Sequence, residues 1–227
     1  MIEVTYIDHM GTDLSVVNAA RVSFGKKRES LGIVTVDGHT RQVLHDSDVS
    51  LIKYLASHEH MSPFGHAFAS FHIKAPVFVA RQLVKHKFLR WNEISRRYVD
   101  SEPEFYEPDV WRYRSEDKKQ GSEGPINQDG YSCDQTAEHF TRISNDNALY
   151  LYHHLLGEGV CPEQARMVLP QSMMTEWYWS GSLDALSDMC KLRCKSDTQA
   201  ETQEVAWAIS LKMEDLFPVS WGALRDE

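Results

Sequence analysis

No apolar run in this chain reaches the roughly 18 residues that a membrane-spanning helix requires, and the amino terminus lacks a basic-then-apolar signal pattern. Neither secretion nor a membrane span is supported, so a soluble cytoplasmic protein is expected. The four cysteines, Cys133, Cys161, Cys190 and Cys194, include no C-x-x-C pair and no zinc spacing. That argues against a disulfide framework or a structural zinc, and for reduced, buried thiols. Cys190 and Cys194 stand one helical turn apart, a poor signature for an activated nucleophile. No internal repeat and no low-complexity linker interrupts the 227 residues. With 42% hydrophobic residues the chain can bury one core of ordinary size, and a single domain over 1–227 is expected.

What the chain does have is a cationic island. Between Arg81 and Tyr98 six lysines and arginines face one carboxylate, Glu93, in a chain of formal net charge −9. Charge so concentrated repels itself unless something anionic lies against it. The island combines point charges (Lys85, Lys87), guanidinium forks (Arg90, Arg96, Arg97), an imidazole (His86) and a carboxylate acceptor. That inventory suits the phosphate and base edges of a nucleotide. Part of it has a structural explanation. If 76–86 is a helix with Pro76 in its first turn, Lys85, His86 and Lys87 complement the negative end of its dipole. Arg90, Glu93, Arg96 and Arg97 are left over, either as solvated surface charge or as an anion site.

Elsewhere the pattern is mixed α and β. Asp13 is expected to cap a helix running through Val22, and Ser47 another from Asp48 to Ser57. Residues 67–75 alternate, with Ala69, Phe71 and Ile73 on one face and Phe68, Ser70, His72 and Lys74 on the other, which predicts a strand. Arg97 to Val99 is expected to be extended. Residues 112–130 are polar and without period, the mark of a surface insertion. Tyr131 to Leu156 carries the longest helical pattern, with Ser132 and Gln135 as a capping box and Gly157 as its stop. A short helix over Pro162–Leu169, a strand over Met173–Trp179, a helix capped by Ser182 through Arg193, and a last one capped by Ser196 with Gln199 and ending before Pro218 complete the reading. The dense histidines His58, His60, His66, His72 and His86 suggest a metal cluster. No carboxylate or cysteine completes a ligand spacing, so none is assigned.

Several motifs in one order resemble the flavin-dependent thymidylate synthases. Lys85, His86, Lys87 and Ser95 stand where that family carries R-H-R-x7-S, followed through Asn92, Glu93, Arg97 and Tyr98. Upstream, His58, His60, Ser62, Pro63, Phe64 and His66 match H-x-H-x-[ST]-P-F-x-H. Phe71, Lys74, Ala75, Pro76, Phe78, Val79, Ala80, Arg81 and Gln82 match the element after it. Ala165, Arg166, Val168, Leu169 and Pro170, then Leu192 and Arg193, follow downstream, so the similarity spans about Gly11 to Phe217.

The resemblance implies an α+β fold, a mostly antiparallel sheet with flanking helices and a helical extension, assembled as a homotetramer with shared active sites. It implies reductive methylation of dUMP to dTMP, with methylenetetrahydrofolate as carbon donor and FAD passing hydride from NADPH. dUMP would be held by Gln82, Lys85, Glu93, Ser95, Arg97, Arg166 and Arg193, of which Arg193 and Ser95 are the catalytic candidates. FAD would meet His60, Ser62, Lys85, His86, Lys87, Glu93, Ser182, Asp184 and Asp188. The chain departs from the family pattern at several places. Lys85 and Lys87 replace arginines, Ser182, Asp184 and Asp188 replace N-x-R-x-x-x-N, Gly65 replaces a glutamate, and Glu176 an arginine. Two alternatives stay open at this level: a relative making another 5-substituted dUMP such as the hydroxymethyl product, and a non-catalytic nucleotide-binding oligomer.

Overall fold

The alternation around Phe71 places a strand at the centre of the molecule. In a computed structural model, which describes residues 1–36, 39–99, 101–116, 121–126 and 136–225, β4 (Phe68–Pro76) buries Ala69, Phe71, Ile73 and Ala75 and leaves their neighbours on the wetter face. It lies between β1 (Glu3–Met10) and β8 (Met174–Ser182), with β5 (Arg90–Glu93) beyond β8. Every pairing in this sheet is antiparallel. β8 outruns its expected end because its ladder with β4 continues from Trp179 opposite Phe71 to Ser182 opposite Phe68. Two hairpins stand apart: β2 (Gly32–Val36) with β3 (His39–Val43), and β6 (Arg112–Arg114) with β7 (Ser122–Pro125). The second lies within the polar 112–130 segment.

Helices build the rest of the core. Val16 and Val17 come from α1 (Asp13–Arg21), Ile52 and Leu55 from α2 (Asp46–Ser57), and Leu186 and Met189 from α6 (Leu183–Arg193). Val205, Ile209 and Met213 come from α7 (Ala200–Leu216), and Trp221 and Leu224 from α8 (Pro218–Arg225). Each such side chain contributes about 1.5–3 kcal/mol of transfer free energy when fully buried. The 21-residue α4 (Ala137–Gly157) differs: only Asn145 and Tyr152 are buried, while Phe140, Ile143, Tyr150 and Leu151 are exposed. Thr136 caps it, accepting from the His139 N–H at 3.2 Å, and the expected box residues Ser132 and Gln135 lie outside the described residues, as does Cys133.

Several expected caps are displaced, each for a visible reason. Thr12, not Asp13, is the N-cap of α1, and its N–H donates to Ser15 Oγ at 3.0 Å. The Asp13 carboxylate is used at the opposite end of the sequence, accepting the backbone N–H groups of Val219 (3.0 Å) and Ser220 (2.8 Å) at the start of α8. That helix was hidden in the sequence because Pro218 read as a stop, whereas proline is also favoured in a first turn. His45 rather than Ser47 precedes α2. Ser47 Oγ instead accepts from Arg28 at 3.2 Å, beside the fully buried Asp48, which pairs with Arg21 and Arg28. The helix expected over 76–86 is the shorter α3 (Val77–Leu83), with Pro76 outside it as N-cap and Phe88 at φ +64° reversing the chain into β5. Arg97–Val99 is not extended: the Tyr98 N–H bonds Ser95 O at 3.0 Å and closes a turn. Pro162 opens α5 (Pro162–Ala165), which runs on as a 3-10 turn over Arg166–Val168.

Candidate active site

The turn after α3 and the last turn of α6 meet beside β8. Arg193 Nε donates to His86 Nε2 at 2.9 Å, and its Nη2 reaches the Gln82 carbonyl at 3.5 Å. The His86 ring packs edge-on to Trp179, centroids 6.5 Å apart. Burial, with the Arg193 charge adding to it, pushes the His86 pKa from 6.5 down to about 4. The imidazole is therefore neutral, as an acceptor from Arg193 must be. Burial also lowers the pKa of Arg193. Gln82 and Arg193 open onto a cavity of about 510 Å³, closed by Thr198 and Gln199 before α7 and by Arg112 and Ser122 of the β6–β7 hairpin. The turn also presents Lys85 and Lys87, both exposed and, among the described residues, in no ion pair.

A second cluster gathers the other nucleotide candidates. Glu93 at the end of β5 accepts from Thr175 Oγ1 at 2.7 Å and from Trp91 Nε1 at 3.1 Å, and the Trp91 ring stacks on Trp177 with centroids 4.3 Å apart. Ser95 Oγ accepts from Arg97 Nε at 3.2 Å. The Arg97 guanidinium lies 4.9 Å from the Tyr98 ring centre and 3.9 Å from the Glu163 carboxylate, while Arg166 Nε donates to the Glu163 carbonyl at 3.4 Å. Both arginines are exposed and border Glu163, one at its carboxylate and the other at its carbonyl, and each fork can address a phosphate oxygen pair. Arg96 turns away to Ser101. Among the described residues no hydrogen bond or ion pair joins this cluster to Gln82, His86 or Arg193.

Besides Lys85, His86, Lys87 and Glu93, already placed, the cofactor candidates occupy the turn after α2 and the first half of α6 with its cap. His58 stacks on Tyr54 at 4.1 Å and its Nδ1 meets the Tyr54 carbonyl at 2.9 Å. His60 is exposed, its ring 6.3 Å from that of His58, and Ser62 opens a 3-10 turn that buries Pro63 and Phe64. Among the described residues no three His, Cys, Asp or Glu side chains form a metal-ligand set. Ser182 is the buried N-cap of α6, and Asp184 in its first turn has Oδ1 buried without a partner. Asp188 lines a cavity of about 600 Å³ together with Lys53, Ser57, Glu59 and Lys191. This donor set fits a flavin dinucleotide. Asp188 and Glu59 can accept from ribose hydroxyls there, and Lys53 and Lys191 offset those two carboxylates and can face a diphosphate. Gly65 faces open space, and Glu176 is taken up by His72 at 2.9 Å on the sheet.

Sequence reasoning missed one polar group. The cap expected for α7 is Ser196 with Gln199; the helix starts later, Gln199 itself sits at the N-cap position, and it makes no cap bond. Its amide accepts from Gln82 Nε2 at 2.5 Å instead. Thr202 and Glu201 join it. The only signal was three polar residues at the start of an apolar helix, which any cap would also produce.

The chain matches the family described as thymidylate synthase complementing protein over residues 5–219. It is 39% identical to the flavin-dependent thymidylate synthase of Thermus thermophilus over 223 residues, 98% of this chain and 75% of the relative. It is 37% identical to that of Thermosipho africanus over 217 residues, 96% and 88%. Among solved structures it resembles the UMP/dUMP methylase PolB from Streptomyces cacaoi bound with 5-Br dUMP, with TM-score 0.79, 29% identity, and 98% and 94% of the two chains covered. The chain belongs to the flavin-dependent thymidylate synthase family.

Proposed function

We propose that this protein methylates dUMP reductively to dTMP, with methylenetetrahydrofolate as carbon donor and NADPH as the source of reducing equivalents. The observation that carries the reading is the Gln82–His86–Arg193 cluster at the mouth of the 510 Å³ cavity. Neutral His86 fixes Arg193 through Nε, the Gln82 carbonyl steadies Nη2, and the remaining N–H donors of the fork address the pyrimidine. There they stabilise negative charge developing at N3 and O2 and so activate C5 for attack on the one-carbon unit. Arg97 and Arg166 hold the phosphate. Ser95 positions Arg97 and the pyrimidine rather than attacking it, since its oxygen is occupied by the Arg97 guanidinium. FAD, when bound, supplies the hydride that completes the methyl group. Lys85 and Lys87 offer charge to its phosphates, Asp188 offers an acceptor with Asp184 beside it on α6, and Glu93, His60 and Ser62 border it.

The active sites are shared within a homotetramer. Support comes from α4, whose exposed Phe140, Ile143 and Tyr150 form one apolar stripe along a helix roughly 30 Å long. Among the described residues no helix is long and apolar enough to cross a membrane, in keeping with cytoplasmic nucleotide synthesis. A second reading, in which UMP is also a substrate, is favoured by the structural relative, a UMP/dUMP methylase. The test is the visible spectrum and flavin stoichiometry of protein purified with FAD, then tritium release from 5-tritiated dUMP and UMP with identification of the product. Failure to retain flavin, or to release tritium from either nucleotide, refutes the reading; a hydroxymethyl product would replace it with the related enzyme.

A further inference from the structure

We infer that Glu201, Gln199 and Thr202 act as positioning residues that lock the Gln82 side chain with an N–H toward the nucleotide cavity. The inference rests on that cavity being the dUMP site. Glu201, only 5% exposed, is a carboxylate and can only accept. One oxygen takes Arg112 Nη2 at 2.5 Å, the other Gln199 Nε2 at 3.1 Å. That turns the Gln199 carbonyl oxygen to Gln82, whose Nε2 donates to it at 2.5 Å. The Gln82 oxygen, facing the other way, accepts from Thr202 Oγ1 at 3.0 Å, and Thr202 is fully buried.

Every bond in this chain points the same way because it ends on a group that cannot donate. Flipping Gln82 alone would set two carbonyl oxygens against each other. Flipping Gln199 as well would set its carbonyl against the Glu201 carboxylate, and a buried polar clash of either kind is costly. An amide nitrogen carries two donors, and Gln199 uses one. Gln82 lines the cavity with Arg193, so the second donor is available there, and the ligand atom opposite must be a lone-pair acceptor, a carbonyl or phosphate oxygen rather than an amino group. Arg112 couples the β6–β7 hairpin to the same chain, so the wall that closes the cavity and the amide that addresses its ligand are set together.

The experiment is calorimetric titration of dUMP and, separately, FAD into the unaltered protein and into Thr202→Val, Thr202→Ser and Glu201→Gln. Steady-state kinetics of each follow. Thr202→Val and Glu201→Gln should weaken dUMP about tenfold, raising KM with little change in kcat. Thr202→Ser, which keeps the hydroxyl, should stay within about twofold of the unaltered protein, and FAD affinity should hold in all three. Thr202→Val and Glu201→Gln variants that bind dUMP as the unaltered protein does would overturn the inference. So would parallel loss of FAD and dUMP, or a Thr202→Ser variant as weak as Thr202→Val, since those outcomes mark packing rather than polarity. Absence of dUMP binding to the unaltered protein would instead overturn the proposed function, and this inference with it.

Discussion

Acidification should destabilise this protein through His86, by an amount the structure sets. The folded-state pKa lies near 4 against an ordinary 6.5, because the ring is half-buried and Arg193 stands against it. As the unfolded chain takes up the proton first, the neutral-histidine contribution is complete above about pH 6.5, is lost as the pH falls toward about 4, and falls no further below. A shift of about 2.5 units has a ceiling near 3.4 kcal/mol, and partial solvent access reduces it to about 1–2 kcal/mol. Urea unfolding of the unaltered protein and of His86→Gln, from about pH 7.5 to about pH 4.5, isolates the effect because the titration of other groups cancels in the difference. Glutamine cannot titrate, yet it can still accept from Arg193. The variant should therefore gain about 1–2 kcal/mol on the parent as the pH falls. A difference independent of pH, or an imidazole resonance titrating near 6.5, would refute the reasoning.

Arg193→Ala should lower turnover on the order of 100-fold to 1,000-fold at saturating dUMP while leaving the flavin spectrum intact, and near-normal activity would remove it from the site. Lys85→Arg and Lys87→Arg should hold activity within about twofold, because both side chains are exposed and the fork is a better phosphate partner; separate FAD and dUMP titrations show which ligand each faces, and a collapse of both would mean the site is built around the smaller head group. Asp13→Ala should cost about 1–2 kcal/mol of unfolding free energy, measured in urea, because two N–H groups at the start of α8 lose their acceptor.

The elements best legible in the sequence were those whose pattern is itself the cause of the structure. Ala69, Phe71 and Ile73 alternate because β4 is buried on one face. Caps were less legible. Asp13, Ser47 and Gln199 each have the chemistry of a cap, but their side chains are drawn to partners distant in sequence: the α8 backbone, Arg28 and Gln82. Local pattern cannot reveal such competition. β5 was missed because its four residues sit inside the cationic island, where charge masks the strand, and its place is fixed by pairing with Trp177 and Trp179. The motif residues were legible as a set through resemblance. Their division into two hydrogen-bonded groups, in ring contact through Trp179, was not, since it depends on where α3, α5 and α6 end in space.

The Trp91–Trp177 stack gives the protein an optical label of its own. The two indoles lie 18° from parallel at 4.3 Å, with Trp179 nearly perpendicular to Trp91 at 5.8 Å. Transitions of chromophores this close couple, so the pair should produce an exciton couplet in circular dichroism whose amplitude depends steeply on their separation and angle. One indole rides on β5 and the other on β8, and β5 leads directly through Glu93 to Ser95 and Arg97. Any ligand that shifts β5 therefore changes the couplet, and docking of the strand can be followed in solution without attaching a probe.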